Sequence, residues 1–399
     1  MFTALLIIIY IAFISLGLPD SILGSAWPLM HLDLGVPSSY AGFVTMIIAF
    51  MTVVSSLMSD RLNRKLGAGS VTAISVLMTA LSLLGFSLST KFYMLCLIAV
   101  PYGLGAGAID AALNNYVALH YSSRHMSWLH MSWGIGAFTG PLVMGQFLVN
   151  GFSWKSGYFA IAVFQFVLSA IIIFTLPLWK KVEVEDAKKN GEDTSDNKTS
   201  KALSLKEIIA IPGAKSLFLA FLSYSAIEST IILWAPSFIS ETRGITATEV
   251  ASYGALYTLG ITIGRFLSGF ISDKLGDRNM IRLGCGVILL ALLIICVPVG
   301  GATVIAIGLV LSGIGSGPIY PSIIHSTPKN FGADKSQALI GVQMAFAYMG
   351  TTFCPPVFGF LAQTFSVKLF PVYLILFFVL MYSMSEMVNR ITGKVAKQN

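Results

Sequence analysis

Long apolar stretches with few charges recur down this chain, and each is about as long as a bilayer is thick. A helix needs roughly 20 mostly apolar residues to cross the hydrocarbon core, where every backbone N–H and C=O must be paired inside the protein. Such windows fall near 3–30, 39–59, 69–88, 92–118, 127–149, 155–179, 213–240, 248–272, 280–299, 302–327, 335–363 and 367–389. They are too long for membrane strands and lack period-two alternation. The expected class is therefore an all-α membrane protein with twelve transmembrane helices. Of 399 residues, 55% are hydrophobic and 11% charged, against about a quarter charged in soluble domains. The first window follows no Lys or Arg and carries no A-x-A-like cleavage pattern, so it is expected to remain as a helix.

The charges that exist are placed unevenly. Between Lys180 and Glu207, 14 of 28 residues are charged, and this stretch reads as a linker with partial disorder between two sets of six spans. The expected division is a bundle over 1–179, a cytoplasmic linker over 180–207 and a bundle over 208–399. With both termini placed in the cytoplasm, 20 of the 25 Lys and Arg fall on the cytoplasmic side, four on the other side, and Arg265 within a span. That bias follows the positive-inside rule. The net charge of +7 is thus a topological signal and gives no reason to expect nucleic-acid binding. Cys96, Cys285, Cys296 and Cys354 fall in spans without paired or metal-type spacing and read as small core residues.

The two sets of spans repeat each other. Ser59-Asp60-Arg61-Leu62 matches Ser272-Asp273-Lys274-Leu275 at an offset of 213. Gly103, Gly105 and Gly107 match Gly313, Gly315 and Gly317 at an offset of 210, and Asp20-Ser21 matches Glu228-Ser229 at 208. Such duplication suits two pseudo-symmetric bundles that rock about a shared site, the arrangement of many secondary transporters.

Three acids lie deep in spans: Asp20, Asp110 and Glu228. An intramembrane carboxylate is costly unless paired, hydrated or protonated, so each is a candidate for function, with structural ion pairing as the alternative. Pro19 and Gly17 predict a break in span 1 beside Asp20, which could equally make Asp20 a cap at a kink. Gly103, Gly107, Asp110 and Asn114 share one face of span 4, where glycines permit close helix approach and the acid points into the bundle. His130 and Trp133 share a face of span 5, and Tyr224 precedes Glu228 by one turn. Asp20, Asp110 and Glu228 are the candidates for proton coupling. With Trp27, Asn114, His130, Trp133, Tyr224, Tyr320 and Gln343 they form the candidate substrate contacts. Trp27 and Trp234 have an interfacial reading of equal standing. A site rich in amides and aromatics suits a neutral hydroxylated molecule. Arg265 reads as a structural ion pair near the cytoplasmic side.

These patterns resemble the major facilitator superfamily across essentially the whole chain. That family carries G-x-x-x-D-[RK]-x-G-[RK]-[RK] between spans 2 and 3. Here Ser56 to Lys65 keeps the acid and the basic residues, and Gly269 to Arg278 keeps both glycines. The resemblance implies a gate latch built from Asp60, Arg61, Arg64, Asp273, Lys274 and Arg265. Asp20-Ser-Ile-Leu-Gly-Ser-Ala-Trp-Pro28, Gly103 to Asn114, Ser225-Ala-Ile-Glu228 and Ile263-Gly-Arg265 are similar to the fucose–galactose–glucose:proton symporter group. This implies proton-driven sugar uptake in a cell membrane of bacterial type, by a monomer without a cofactor or metal. Asp110 stands where that group commonly has Glu, and His130 and Trp133 stand where it has amides, which points to another sugar than fucose.

A rival reading comes from Gly136-Ala-Phe-Thr-Gly140-Pro141, which fits part of a motif of proton-driven drug antiporters. Export of a drug or metabolite is the alternative function. An enzyme is not expected, since no nucleophile–base set, metal-ligand cluster or phosphate loop stands out.

Overall fold

The computed structural model describes residues 2–190, 202–244, 253–296 and 301–395. Positions 191–201, in the middle of the expected linker, and 248–252, at the start of the expected eighth span, lie outside the described residues.

Among the described residues the regular structure is helical. The long elements are α1 (Phe2–Asp20), α2 (Ile22–Asp33), α3 (Ala41–Leu66), α4 (Ala68–Leu88), α5 (Phe92–His120), α6 (Ser123–Val149) and α7 (Trp154–Asn190). A short α8 (Leu205–Ala210) precedes α9 (Ala214–Arg243), α10 (Tyr253–Leu275), α11 (Asp277–Cys296), α12 (Gly301–Ser316), α13 (Ile319–Phe331), α14 (Ala333–Thr364) and α15 (Phe370–Val395). Counting α1–α2 and α12–α13 as interrupted spans gives the twelve expected. Eleven are long and apolar enough to cross a membrane. The twelfth, α6, has 27 residues but contains Arg124, His125, His130 and several Ser and Gly, which lowers its apolarity. Large side chains such as Phe138, Phe174 and Phe360 are more than 60% exposed on the protein surface, as expected where lipid rather than water is the solvent.

Two interruptions shape the spans. Span 1 breaks at Ser21, after Pro19 has removed a backbone donor. Its hydroxyl donates instead to the Ala137 carbonyl of α6 at 2.6 Å. Span 10 breaks at Gly317-Pro318, where the sequence pattern predicted a continuous helix.

The chain divides into two compact units. Unit 1 is Met1–Tyr116 with Ser132–Leu203, and unit 2 is Val117–Met131 with Ser204–Asn399. The stretch 117–131, which the expected division placed with the first bundle, thus groups with the second.

The repeated glycines pack alike in the two units. In unit 1, a Cβ on Gly103 or Gly107 would overlap the Ile48 or Thr52 carbonyl of α3, and one on Gly105 would reach the Ser75 carbonyl of α4. In unit 2, Gly313 and Gly317 lie against the backbone of α10, and Gly315 against the Gly284 carbonyl of α11. The same alternation of neighbours recurs at the same offset, so the sequence repeat is a repeat of helix contacts. Thr52 and Ser55 add hydroxyl bonds to the Gly103 and Leu104 carbonyls, a mode of close contact that suits lipid-embedded helices.

Candidate functional site

Asp20 ends α1 at the break in span 1, and its carboxylate has a donor on each oxygen. The Trp133 indole N–H donates to Oδ2 at 2.9 Å, and the Tyr102 hydroxyl donates to Oδ1 at 3.3 Å. Tyr102 is buried, yet Asp20 is exposed although it lies in the middle of a span. The donors come from α5 and α6, so the carboxylate is turned toward its own bundle. Asp110 of α5 is buried, and its Oδ1 accepts from the Asn114 amide at 2.8 Å. The charge of Asp110 reaches Asp20. Unit 1 therefore brings together Asp20, Asp110, Asn114 and Trp133 of the expected site residues and adds Tyr102. Nothing in the sequence singled out Tyr102, because its partner is 82 residues away.

The close approach of α6 to α1 that makes the Trp133 bond possible depends on glycine. A Cβ on Gly17 would overlap the Trp133 carbonyl, and Cβ atoms on Gly136 and Gly140 would overlap the Ile14 and Leu18 carbonyls. Both glycines of the Gly136–Pro141 motif take part in this packing.

Unit 2 holds a second polar cluster. Glu228 is half-buried on α9, and the Tyr224 hydroxyl lies near it without hydrogen-bond geometry. Arg265 of α10 is buried, its charge acts on Glu228, and its Nη1 donates to the His130 carbonyl at 3.2 Å. Tyr257, not anticipated from sequence, donates to Ser316 at 2.9 Å and feels the Glu228 charge. The Tyr320 ring meets those of His130 at 4.8 Å, Phe221 at 4.4 Å and Tyr224 at 5.5 Å. Arg265, Glu228, His130, Tyr224 and Tyr320 thus form one group, with Arg265 beside the acid rather than among the latch residues.

Other candidates lie elsewhere. The Trp27 indole donates to the Ser38 carbonyl at 2.6 Å and packs on Phe92, fastening the end of span 1. Gln343 is fully buried and accepts from Thr327 at 3.1 Å. A cavity of about 500 Å³ near the C-terminal end of α9 is lined by Trp234, Glu241, Gly359, Ala362, Gln363 and Val367, well along the helix from Glu228.

The expected latch residues take two arrangements. Asp60 pairs with Arg64 one turn on, at 2.9 Å, while Arg61 is exposed. Asp273 accepts from the Arg124 Nε at 2.5 Å, from its backbone N–H at 3.1 Å and from Ser122 at 3.2 Å, while Lys274 is exposed. The Trp128 ring lies over Gly269, where any Cβ would overlap it. The His125 ring meets the Trp128 ring edge-on at 5.8 Å. Arg124 and Trp128 carried no motif that could have marked them.

The sequence profile of the Major Facilitator Superfamily matches residues 9–350 and 217–388. The glucose/mannose transporter GlcP of Bacillus subtilis is 27% identical over 55% of this chain, a match spanning 54% of that protein. Multidrug resistance protein 2 of the same organism is 24% identical over 71% of this chain and 69% of its own length. Among solved structures, the transporter FucP in the outward conformation aligns with a TM-score of 0.73 at 16% identity, over 96% of this chain and 98% of FucP. The proton:xylose symporter XylE aligns with a TM-score of 0.75 at 10% identity, over 97% and 98%.

Proposed function

The chain belongs to the Major Facilitator Superfamily, and from that premise we propose that it is a proton-coupled symporter of a sugar or a similar neutral hydroxylated molecule. The family and fold are those of multi-pass membrane transporters and not of enzymes. The observation that carries the finer reading is the Asp20 carboxylate: exposed at a helix break in mid-span and held by Trp133 and Tyr102. An acid in that position can accept sugar hydroxyls and take up a proton, and the neighbouring indole offers an apolar face to a sugar ring. Asp110 with Asn114 supplies a second carboxyl within reach of the first. In unit 2, the proximity of Arg265 and Glu228 offsets their charges, which favours a neutral ligand over an ion. The names of GlcP, FucP and XylE support sugar as the substrate class. The charge bias of the loops supports cytoplasmic termini, and membership of a transporter family supports a plasma-membrane location.

The rival reading, drug export, rests on the resemblance to multidrug resistance protein 2. The glycines of the Gly136–Pro141 motif, which also suggested it, pack against α1.

The test is uptake of labelled glucose, mannose, fucose and xylose by proteoliposomes with an acidic exterior. Accumulation that collapses with an uncoupler is expected for at least one. No accumulation of any, together with proton-driven efflux of ethidium from the same vesicles, would sink the symport reading.

A further inference from the structure

The His325 ring of α13 sits between two oxygens. Its Nδ1 is 2.8 Å from Asp277 Oδ2 and its Nε2 is 3.1 Å from the Tyr121 carbonyl oxygen. A carboxylate and a carbonyl can only accept, and a neutral imidazole has one N–H to give. The imidazolium alone satisfies both contacts. Asp277, the first residue of α11, also accepts from Ser123 at 2.6 Å through its other oxygen. One imidazole and one carboxylate therefore grip residues 121 and 123, the connection between α5 and α6. None of these residues belongs to the polar clusters around Asp20 or Glu228, and the loop motif does not include His325.

We infer that protonated His325 is a clip that fastens the α5–α6 connection to α11 and α13, and that loss of its proton releases that connection. The surrounding charges fit this role. Asp277 is in contact, and Asp273 of α10 acts from behind, itself held by Arg124. On α11, Arg278 and Arg282 are turned to Glu386 of α15. His125 stacks edgewise on the Tyr121 ring, His120 ends α5, and Lys329 lies one turn along α13. With one nitrogen deprotonated, a lone pair would face an acceptor oxygen, and one hydrogen bond would become a repulsion. Both helices continue away from the clip, α5 back to Phe92 and α6 on to Val149. The clip goes beyond the transport reading, and its test needs no substrate.

Ser127 of α6 is 1% exposed, and a cysteine there would react with a maleimide only when the connection lifts. The full chain is prepared in detergent with Cys96, Cys285, Cys296 and Cys354 replaced and Ser127→Cys added. Labelling is normalised to a second protein carrying Ser39→Cys, an exposed position, to remove the thiol's own pH dependence. Normalised labelling should rise about tenfold from pH 6 to pH 8.5, the loss of one charge-assisted hydrogen bond. His325→Gln should label fast at both pH values, and His325→Lys, which keeps a permanent charge, slowly at both. A flat profile with His325 present, or the same pH rise in His325→Gln, overturns the clip.

Discussion

Trp133 and Asp20 meet at 2.9 Å, tying the middle of α6 to the break that separates α1 from α2. The bond fixes the direction of a carboxylate that stays exposed in mid-span. Tyr102 constrains the other oxygen from α5, so three helices set the position of one acid.

Replacing Trp133 by Phe keeps a ring and removes the indole donor. Hydrogen bonds to charged groups contribute about 1.5–3 kcal/mol, so hexose affinity should weaken roughly tenfold or more while the melting temperature barely moves. Equilibrium binding of labelled hexose checks this. Unchanged affinity would leave Trp133 a structural partner only.

Asp110→Asn should separate exchange from accumulation. Sugar counterflow should persist in proteoliposomes, and accumulation driven by the pH gradient should vanish. Asn114→Ala removes the amide bonded to Asp110 and should cost about 1–3 kcal/mol of stability, read as a melting temperature lower by a few degrees.

Gly140→Ala and Gly136→Ala should be badly tolerated, because each new methyl group would overlap a carbonyl of α1. Overpacking of this kind costs about 1–3 kcal/mol or more, visible as loss of the monodisperse peak on size exclusion. Gly24→Ala, with open space around it, should behave as wild type. Equal tolerance at all three positions would show that α1 and α6 do not pack this closely.

The Arg124–Asp273 pair is partly exposed, so removing it should change stability by less than about 1 kcal/mol. Arg124→Ala should therefore melt with the parent protein, while maleimide labelling at the Ser127→Cys position rises. A large fall in melting temperature would instead make the pair a fold determinant.

Much of this architecture was legible because it follows from local chemistry. Apolar length marked the spans, Pro19 marked the break beside Asp20, and the 210-residue glycine offset is realised as matching helix contacts. The second break was obscured because Gly313 to Gly317 looks like Gly103 to Gly107, which stays helical; Pro318 was the differing signal. Arg265 was read from its closeness to Asp273 in sequence, whereas buried packing turns it toward Glu228, 37 positions earlier. Trp27 admits a sugar-facing and an interfacial reading from sequence, and the carbonyl that engages its indole lies in the turn after its own helix. The grouping of 117–131 with unit 2 depends on distant partners such as Asp273, Asp277 and His325, which no local pattern encodes.

The bare Cα of Gly269 receives the pyrrole end of the Trp128 indole. A broad ring on so shallow a seat has few intermediate resting places, since close-packed surfaces switch between arrangements more readily than they slide. The first glycine of the loop motif therefore acts here as an indentation shaped by its occupant. A methyl group at that position would work as a wedge, keeping the indole lifted without touching any charge in the motif.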